Sequence, residues 1–299
     1  MTEGIAGEGT HIDGLLAVLD LSGSDARTSE DIFTGVSQHM PLGRVYGGQV
    51  LAQSIVAASR TLPPERIVHS MHGYFLRPGD SAKGITFAVD RIHDGRSFST
   101  RRTQAYQEGA PIFSMIASFQ DGAPGLEHQE PMPSGIPQPE DLPDTEDHLP
   151  GVHPVSKRQF TERPVDLRHV PDPVYLEVAR RQPHQAVWMR TRGRLPDDPT
   201  LHRAALAYMS DLSIQEPILR AHGVPWATPD LKVASLDHAM WWHRFGRVDD
   251  WVLYVQHSPN AIGGRGLSQG RIYSRDGRLL ATVAQEVMVR VPDAAQTST

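Results

Sequence analysis

The sequence predicts an α+β chain in which two tandem antiparallel sheets, each wrapped around one apolar helix, join edge to edge. Three observations carry this expectation. The same order of one helix and four strand-like runs occurs twice, short local matches put the two copies in register, and both helices are too apolar to lie on an open surface. A helix of that kind is buried only if its own sheet curls around it.

The elements follow in order. Gly47-Gly48-Gln49-Val50-Leu51-Ala52-Gln53-Ser54-Ile55-Val56-Ala57-Ala58-Ser59 is a mostly apolar helix entered through glycines. Strands are predicted from Val68 to Leu76, Ile85 to Ile92, Ser97 to Tyr106 and Pro111 to Gln120, where β-branched and aromatic residues alternate with polar ones. From Asp121 to Pro154 the composition turns to Pro, Gly and acids, and no Lys or Arg occurs between Arg102 and Lys157, the mark of a linker. A second helix is predicted from about Leu201 to Gln215, followed by strands from Lys232 to Trp242, Trp251 to His257, Gly266 to Ser274 and Leu279 to Arg290.

Gly95-Arg96 corresponds to Gly264-Arg265, the hairpin tip Glu108-Gly109 to Asp276-Gly277, and Ser70 to Ser235. Asp-Gly at the second tip suits a tight turn. One helix followed by an antiparallel meander is the hotdog arrangement, and two copies edge to edge hide the strand edges that each would expose alone. The expected organisation is a double hotdog: an N-terminal repeat over residues 1–121, a Pro- and acid-rich linker over 122–156, and a C-terminal repeat over 157–299.

Composition narrows the function. Lys plus Arg number 29 against 35 Asp plus Glu, a net charge of −6, and no basic run suited to a phosphate backbone occurs, so nucleic acid is not an expected partner. No apolar segment reaches bilayer-spanning length, and residues Met1 to Gly9 lack the pattern of an export signal, so a soluble, cytoplasmic protein is expected. With zero Cys there is no thiol nucleophile, disulfide framework or Cys-ligated zinc.

Three polar residues interrupt apolar patterns. On the last strand Leu279, Ala281, Val283, Val287 and Val289 share one face with Gln285, and burying an amide without partners costs roughly 1–3 kcal/mol. Such a Gln is either satisfied locally or holds something. Asp211 lies in the Ala- and Leu-rich second helix with Ala207, Tyr208, Ile214 and Gln215 three and four positions away, none of them a cation. A solvated surface Asp and a buried catalytic carboxylate are the two readings. Ser235 breaks the apolar run before Trp241 and Trp242, a pair expected to fill core on both faces. The first half does not repeat these groups: Gln285 falls opposite Ala117, and Asp211 meets Ser54, Ile55 or Val56. One polar constellation in a pseudo-symmetric chain implies one active site.

Competing motifs fail on context. Gly266-Leu267-Ser268-Gln269-Gly270 has the form of a nucleophile elbow, but Ser268 leads into Arg271-Ile272-Tyr273-Ser274 and a turn rather than a helix, and no His follows His257. His69 with His72, and His238 with His243, lack metal-site spacing and lie in strands, so no metal is expected. Gly264-Arg265-Gly266 lacks the third Gly and the helix of a dinucleotide fingerprint, and no cofactor is expected.

The segments from Arg44 to Gln53, Val68 to Gly79, Asp90 to Arg101 and Leu236 to Trp241, with the Gln285 strand, resemble the type II acyl-CoA thioesterase family over nearly all of the chain except its ends and the linker. The resemblance implies a double hotdog that hydrolyses fatty acyl-CoA to fatty acid and CoA. It also implies an Asp, a Thr or Ser, and a Gln as catalytic residues, which fall on Asp211, Ser235 and Gln285; members often have Thr where Ser235 stands. Peroxisomal members end in a receptor-read tripeptide, which the terminal Gln296-Thr297-Ser298-Thr299 does not match.

The implied reaction is direct attack of water on the thioester of a medium- to long-chain substrate. Asp211 orients the water and takes its proton, while Ser235 and Gln285 satisfy the water's other hydrogen bonds. Backbone N–H groups at a helix N-terminus are the expected oxyanion donors. A hotdog hydratase, for which His202 near Asp211 would be the partner, and a non-catalytic acyl-CoA binder are the rival classes. Assembly into a homo-oligomer is expected.

Overall fold

A computed structural model describes residues 11–23, 30–170 and 172–292. The expectations placed on Met1 to Gly9 and on Gln296 to Thr299 lie outside the described residues. Five helices, α1 (His11–Leu19), α2 (Gly47–Ser59), α3 (Pro154–Thr161), α4 (Pro199–Ser210) and α5 (Glu216–His222), are described. The strands of the first half are β1 (Ser22–Gly23), β2 (Asp31–Gly35), β3 (Ile67–Phe75), β4 (Ile85–Asp94), β5 (Phe98–Gln107) and β6 (Ala110–Gln120). Those of the second are β7 (Val165–Val170), β8 (His184–Thr191), β9 (Lys232–Ser235), β10 (Asp237–Trp242), β11 (Val252–Ile262), β12 (Arg265–Ser274) and β13 (Leu279–Arg290).

All of these strands belong to one antiparallel sheet in the order β1-β2-β4-β5-β6-β3-β10-β13-β12-β11-β8-β7, with β9 pairing β13 off that path. The halves meet where β3 pairs β10, Met71 opposite Met240, so the two expected edges are joined. Each half is one helix on a curved sheet. Every residue of α2 from Gly48 to Ala58 is buried, α4 packs against α2, and one core containing Leu51, Ile55, Phe87, Phe113, Leu206, Met240, Val252 and Val283 runs through both halves. The double hotdog expected from the repeat is the observed fold.

Several elements differ from those expected. A strand precedes each helix, β2 before α2 and β8 before α4, and β7 adds an outer strand; no element was expected at these positions. The second helix stops at Ser210. The next N–H, that of Leu212, reaches back to Met209 in a tight turn, and α5 starts again at Glu216 with Pro217 in its first turn, where a missing N–H costs nothing. The Pro-rich segment is a packed strap. Met132, Ile136 and Leu142 cover Trp188, Trp251, Leu253 and Tyr273 on the outer face of the second sheet, and the Trp188 indole N–H donates to Pro137 O at 2.9 Å. Trp242 lies in the core, but Trp241 is 43% exposed on the outer face and fills no core.

The expected strand Lys232 to Trp242 is broken into β9 and β10, and the break positions the site. Ser235 pairs Val287 whereas Ala239 pairs Ala284, one residue out of step. Asp237 Oδ1 accepts the Glu286 N–H at 2.7 Å, taking the place of a ladder carbonyl. Side chains alternate along a strand, so Ser235 and His238 would face opposite ways in a regular one; the extra residue of the bulge turns both inward. The first half carries the same irregularity: Val68 pairs Phe119 and Ser70 pairs Ser118, with a shift between. Since Phe119 corresponds to Val287, the counterpart of Ser235 is Val68, not Ser70.

Candidate active site

Asp211, Ser235 and Gln285 come from α4's C-terminal end, β9 and β13, and the structure brings all three together. Asp211 is the C-cap of α4 and is 3% exposed. Ser235 Oγ donates to Asp211 Oδ1 at 3.2 Å, and Gln285 Nε2 donates to the same oxygen at 3.0 Å and to Ser235 Oγ at 2.7 Å. The amide is fully buried, as its place in an apolar row required.

The electrostatics suit a base. Burial raises the Asp211 carboxyl, and hydrogen bonds from Gln285, Ser235 and the Gly48 backbone oppose the rise in part, leaving it at about 6. Among the described residues no Lys or Arg is paired with it, and the negative end of α4 adds to the cost of ionisation. The opposing element is the N-terminus of α2, whose dipole favours negative charge. Two glycines allow this approach. A Cβ on Gly47 would stand 2.7 Å from Asp211 Oδ2, and one on Gly48 would stand 2.5 Å from Tyr208 O. Tyr46, just before α2, donates through its hydroxyl to Tyr208 O at 2.8 Å and ties the two helix ends together.

Asp211 and Ser235 open on a cavity of about 660 Å³ whose wall includes Gly47, Leu212, Phe160, Leu176, Trp226 and Val233. Arg44, His153 and Arg163 also line it. Gln285 is not in that wall: it stands behind Asp211 and Ser235, and both amide hydrogens are directed at them. Its two amide hydrogen bonds are thus made to the pair itself.

Two participants were missed by sequence reasoning. His238 is fully buried, with Nδ1 hydrogen-bonded to Gln285 Oε1 and Nε2 3.0 Å from Ser210 Oγ. Burial pushes its pKa down to about 4 despite the Gln285 contact, so the ring is neutral at pH 7. Glu216, also in the cavity wall, is buried beside His169, Gln185 and Trp226. Burial would raise its carboxyl, but the His169 charge and hydrogen bonds from these three side chains hold it below its ordinary value. For Glu216 the usable signal was a carboxylate beside the apolar run of α5.

The rejected motifs stay apart from this cluster or lack its chemistry. Ser268 lies in the middle of β12, its hydroxyl buried without a protein partner, and no helix follows it. It pairs with Gln285 across the ladder. His202 sits in the first turns of α4, its Nδ1 accepting the Val248 N–H at 3.2 Å, and makes no pair with Asp211 at the other end. Among the described residues no group of three or more His, Asp and Glu could hold a metal ion, and no helix is long and apolar enough to cross a membrane.

Three of the four corresponding positions in the first half are apolar, and the fourth carries no carboxylate. Val68 stands for Ser235, Met71 for His238 and Ala117 for Gln285, all three buried, while Ser59 and Arg60 occupy the end of α2 where α4 has Asp211. Among the described residues the polar cluster occurs once.

Two family models match the chain, one described as acyl-CoA thioesterase over residues 154–288 and one as acyl-CoA thioesterase N-terminal domain over residues 36–120. The chain is 38% identical over 266 residues to acyl-CoA thioesterase 2 of Haemophilus influenzae, spanning 87% of this chain and 92% of that protein. The crystal structure of an acyl-CoA thioesterase II of Mycobacterium marinum matches with a TM-score of 0.74 at 40% identity, over 93% of this chain and 98% of the other. A protein of Alicyclobacillus acidocaldarius described as having a hot dog fold matches with a TM-score of 0.75 over 93% and 98%; at 20% identity this is a likeness of fold.

Proposed function

The chain belongs to the type II acyl-CoA thioesterase family and is an acyl-CoA thioester hydrolase, and we propose that it cleaves medium- to long-chain fatty acyl-CoA by direct attack of a water held at Asp211 and Ser235. The observation that carries this mechanism is a buried carboxylate with no Lys or Arg paired to it among the described residues, raised to about 6, at the wall of a cavity with apolar and polar lining. Such a group is ionised at neutral pH yet basic enough to accept a proton, which is the compromise a general base requires.

In this reading water lies between Asp211 and the thioester carbonyl. Asp211 takes its proton as the C–O bond forms, Ser235 Oγ fixes its orientation, and Gln285 keeps both in place. Negative charge gathers on the carbonyl oxygen and is met by the Gly47 N–H at the start of α2, since the Gly48 N–H is held by Asp211 and the Gln49 N–H by Tyr46 O. The tetrahedral intermediate then collapses, the C–S bond breaks, and the thiolate leaves as CoA after protonation. No acyl-enzyme forms. The acyl chain occupies the apolar part of the cavity, with the phosphates of CoA toward Arg44 and Arg163 in its lining. A cytoplasmic, oligomeric enzyme completes the proposal; exposed Tyr74, Ile116 and Trp241 on adjoining strands offer an apolar outer surface for contact between chains.

Thiol release measured across acyl-CoA of increasing chain length tests the substrate class. Medium and long chains should be cleaved without added metal or cofactor. Release confined to short chains, or hydration of an enoyl-CoA without thiol release, would count against it.

A further inference from the structure

We infer that His238 is a positioning residue for the hydrolysis: its Nδ1–H holds the oxygen end of the Gln285 amide, so that the nitrogen end faces Asp211 and Ser235. This rests on the reading of Asp211 as the base.

The geometry leaves little freedom. Gln285 can present either its oxygen or its NH2 to Asp211, and the two ends have the same shape. With the nitrogen toward Asp211 the amide gives one hydrogen to Oδ1 and one to Ser235 Oγ, at 3.0 and 2.7 Å. With the amide reversed, its oxygen would confront an ionised carboxylate in a buried site. What selects the first arrangement is the group behind the amide. His238 Nδ1 is hydrogen-bonded to Gln285 Oε1, and an oxygen there needs a donor. A neutral imidazole has one N–H, so Nδ1 can donate only if Nε2 is bare and accepts from elsewhere. Ser210 Oγ stands 3.0 Å from Nε2 and can supply that hydrogen, although Ala207 O, 2.9 Å away, competes for it. The chain of donation therefore runs from Ser210 through His238 and Gln285 to Asp211. Were the ring proton on Nε2, Nδ1 and Oε1 would be two acceptors face to face, and the amide would turn.

The repeat provides an independent observation. The counterparts of His238 and Gln285 in the first half are Met71 and Ala117, so the imidazole stands where the amide stands and is missing where the amide is missing. A histidine needed only to fill core would have no reason to follow the amide. The charged and titratable groups around this chain are few. His238 is faced by Asp237 from its own segment and His72 from β3, which pair with one another at 2.9 Å, while Asp211 is faced by Tyr46, Tyr208 and Tyr254. None of them offers a cation to the carboxylate directly.

The test compares thiol release against pH in the wild-type enzyme, His238→Leu, His238→Asn, Ser210→Ala and Asp211→Asn. Without the imidazole donor the amide turns, Asp211 loses an N–H donor, and its ionised form becomes harder to reach. In His238→Leu the acid limb of kcat/KM should move up by about one pH unit, an approximately tenfold loss well below pH 6 that is about fivefold at pH 6 and shrinks toward pH 8. Ser210→Ala should move it the same way by less. His238→Asn places an amide N–H about where Nδ1–H stood and should return the limb toward its wild-type position, which a lost packing contact would not do. An unmoved limb in folded His238→Leu, or His238→Asn behaving like His238→Leu, would overturn the inference. Because these variants can fail to fold, ¹⁵N NMR of the wild-type histidine rings gives a second reading: a His238 ring protonated at Nδ1 supports the assignment, and one protonated at Nε2 refutes it. Full turnover by Asp211→Asn overturns the base reading and this inference with it, whereas an inactive Asp211→Asn beside an unmoved limb in His238→Leu overturns this inference alone.

Discussion

Replacing Asp211 by Asn should make the enzyme worse at catalysis and better at staying folded, and the second effect should depend on pH. The carboxyl sits at about 6 in the folded chain against an ordinary 3.8, so folding disfavours its ionised form. The sign follows by linkage. A carboxyl raised on folding contributes its full stability below the unfolded value and loses it as pH rises through the folded one. The gap between about 6 and 3.8 corresponds to about 3 kcal/mol of native stability forgone at pH 7 and above. Asn keeps the shape and the acceptor toward Gln285 and Ser235 but gives up the acceptor for the Gly48 N–H, which offsets part of the gain. Asp211→Asn should therefore exceed wild type by about 1–3 kcal/mol above pH 7, with the difference closing as pH falls toward 4. Turnover should fall by about 10²–10⁴, the usual worth of a general base. Urea denaturation at a series of pH values, beside thiol-release kinetics, reads both effects. A stability difference that is flat between about pH 4 and pH 8, or wild-type turnover that shows no acid limb near pH 6, would refute the reasoning.

Other expectations concern the groups around that carboxylate. Gln285→Ala should cost roughly 2.7–4 kcal/mol of transition-state stabilisation, read as kcat/KM, because it frees both Asp211 and Ser235 to turn. Ser268→Ala should leave turnover within a few-fold and serine-directed fluorophosphonates should not label the enzyme; stoichiometric labelling at Ser268 would point to an acyl-enzyme instead. In Gly47→Ala the new methyl would stand 2.7 Å from Asp211 Oδ2 and must displace it. Misplacement of a reacting group by about 1 Å can cost about 10², so kcat should fall by that order while thermal unfolding shows the chain still folded.

The carboxylate, hydroxyl and amide of the candidate site were legible because each breaks an apolar pattern. Asp211 lies among Ala and Leu with no cation within a helical turn, and Gln285 interrupts a valine row. His238 was not legible for a geometric reason. Treated as one regular strand, Lys232 to Trp242 puts Ser235 and His238 on opposite faces, and only the Asp237 intrusion into the ladder reveals that they share one. The same register shift explains why Ser70 was matched to Ser235 when Val68 is its counterpart. β2 escaped notice because it is short, and β8 because its centre, Ala186 to Met189, is an unbroken apolar run with no alternation to detect. The strap over residues 122–156 has the composition of a solvated connector. Its few anchors, Met132, Ile136 and Leu142, are too widely spaced to mark a buried segment until their partners are known.

The bulge between Ser235 and His238 imposes a requirement on the gene rather than on any one side chain. Exchanging Leu236 for another residue alters a contact, and the two inward positions keep their aim. Deleting it restores a regular two-residue period, and either the hydroxyl or the imidazole swings out to solvent while the rest of the sheet remains paired. Length in this segment is therefore constrained more tightly than composition. The first half keeps the same extra residue although Val68 and Met71 ask nothing of it chemically. The spacing is common to both halves, and only the second half uses it to bring a hydroxyl and an imidazole to one face.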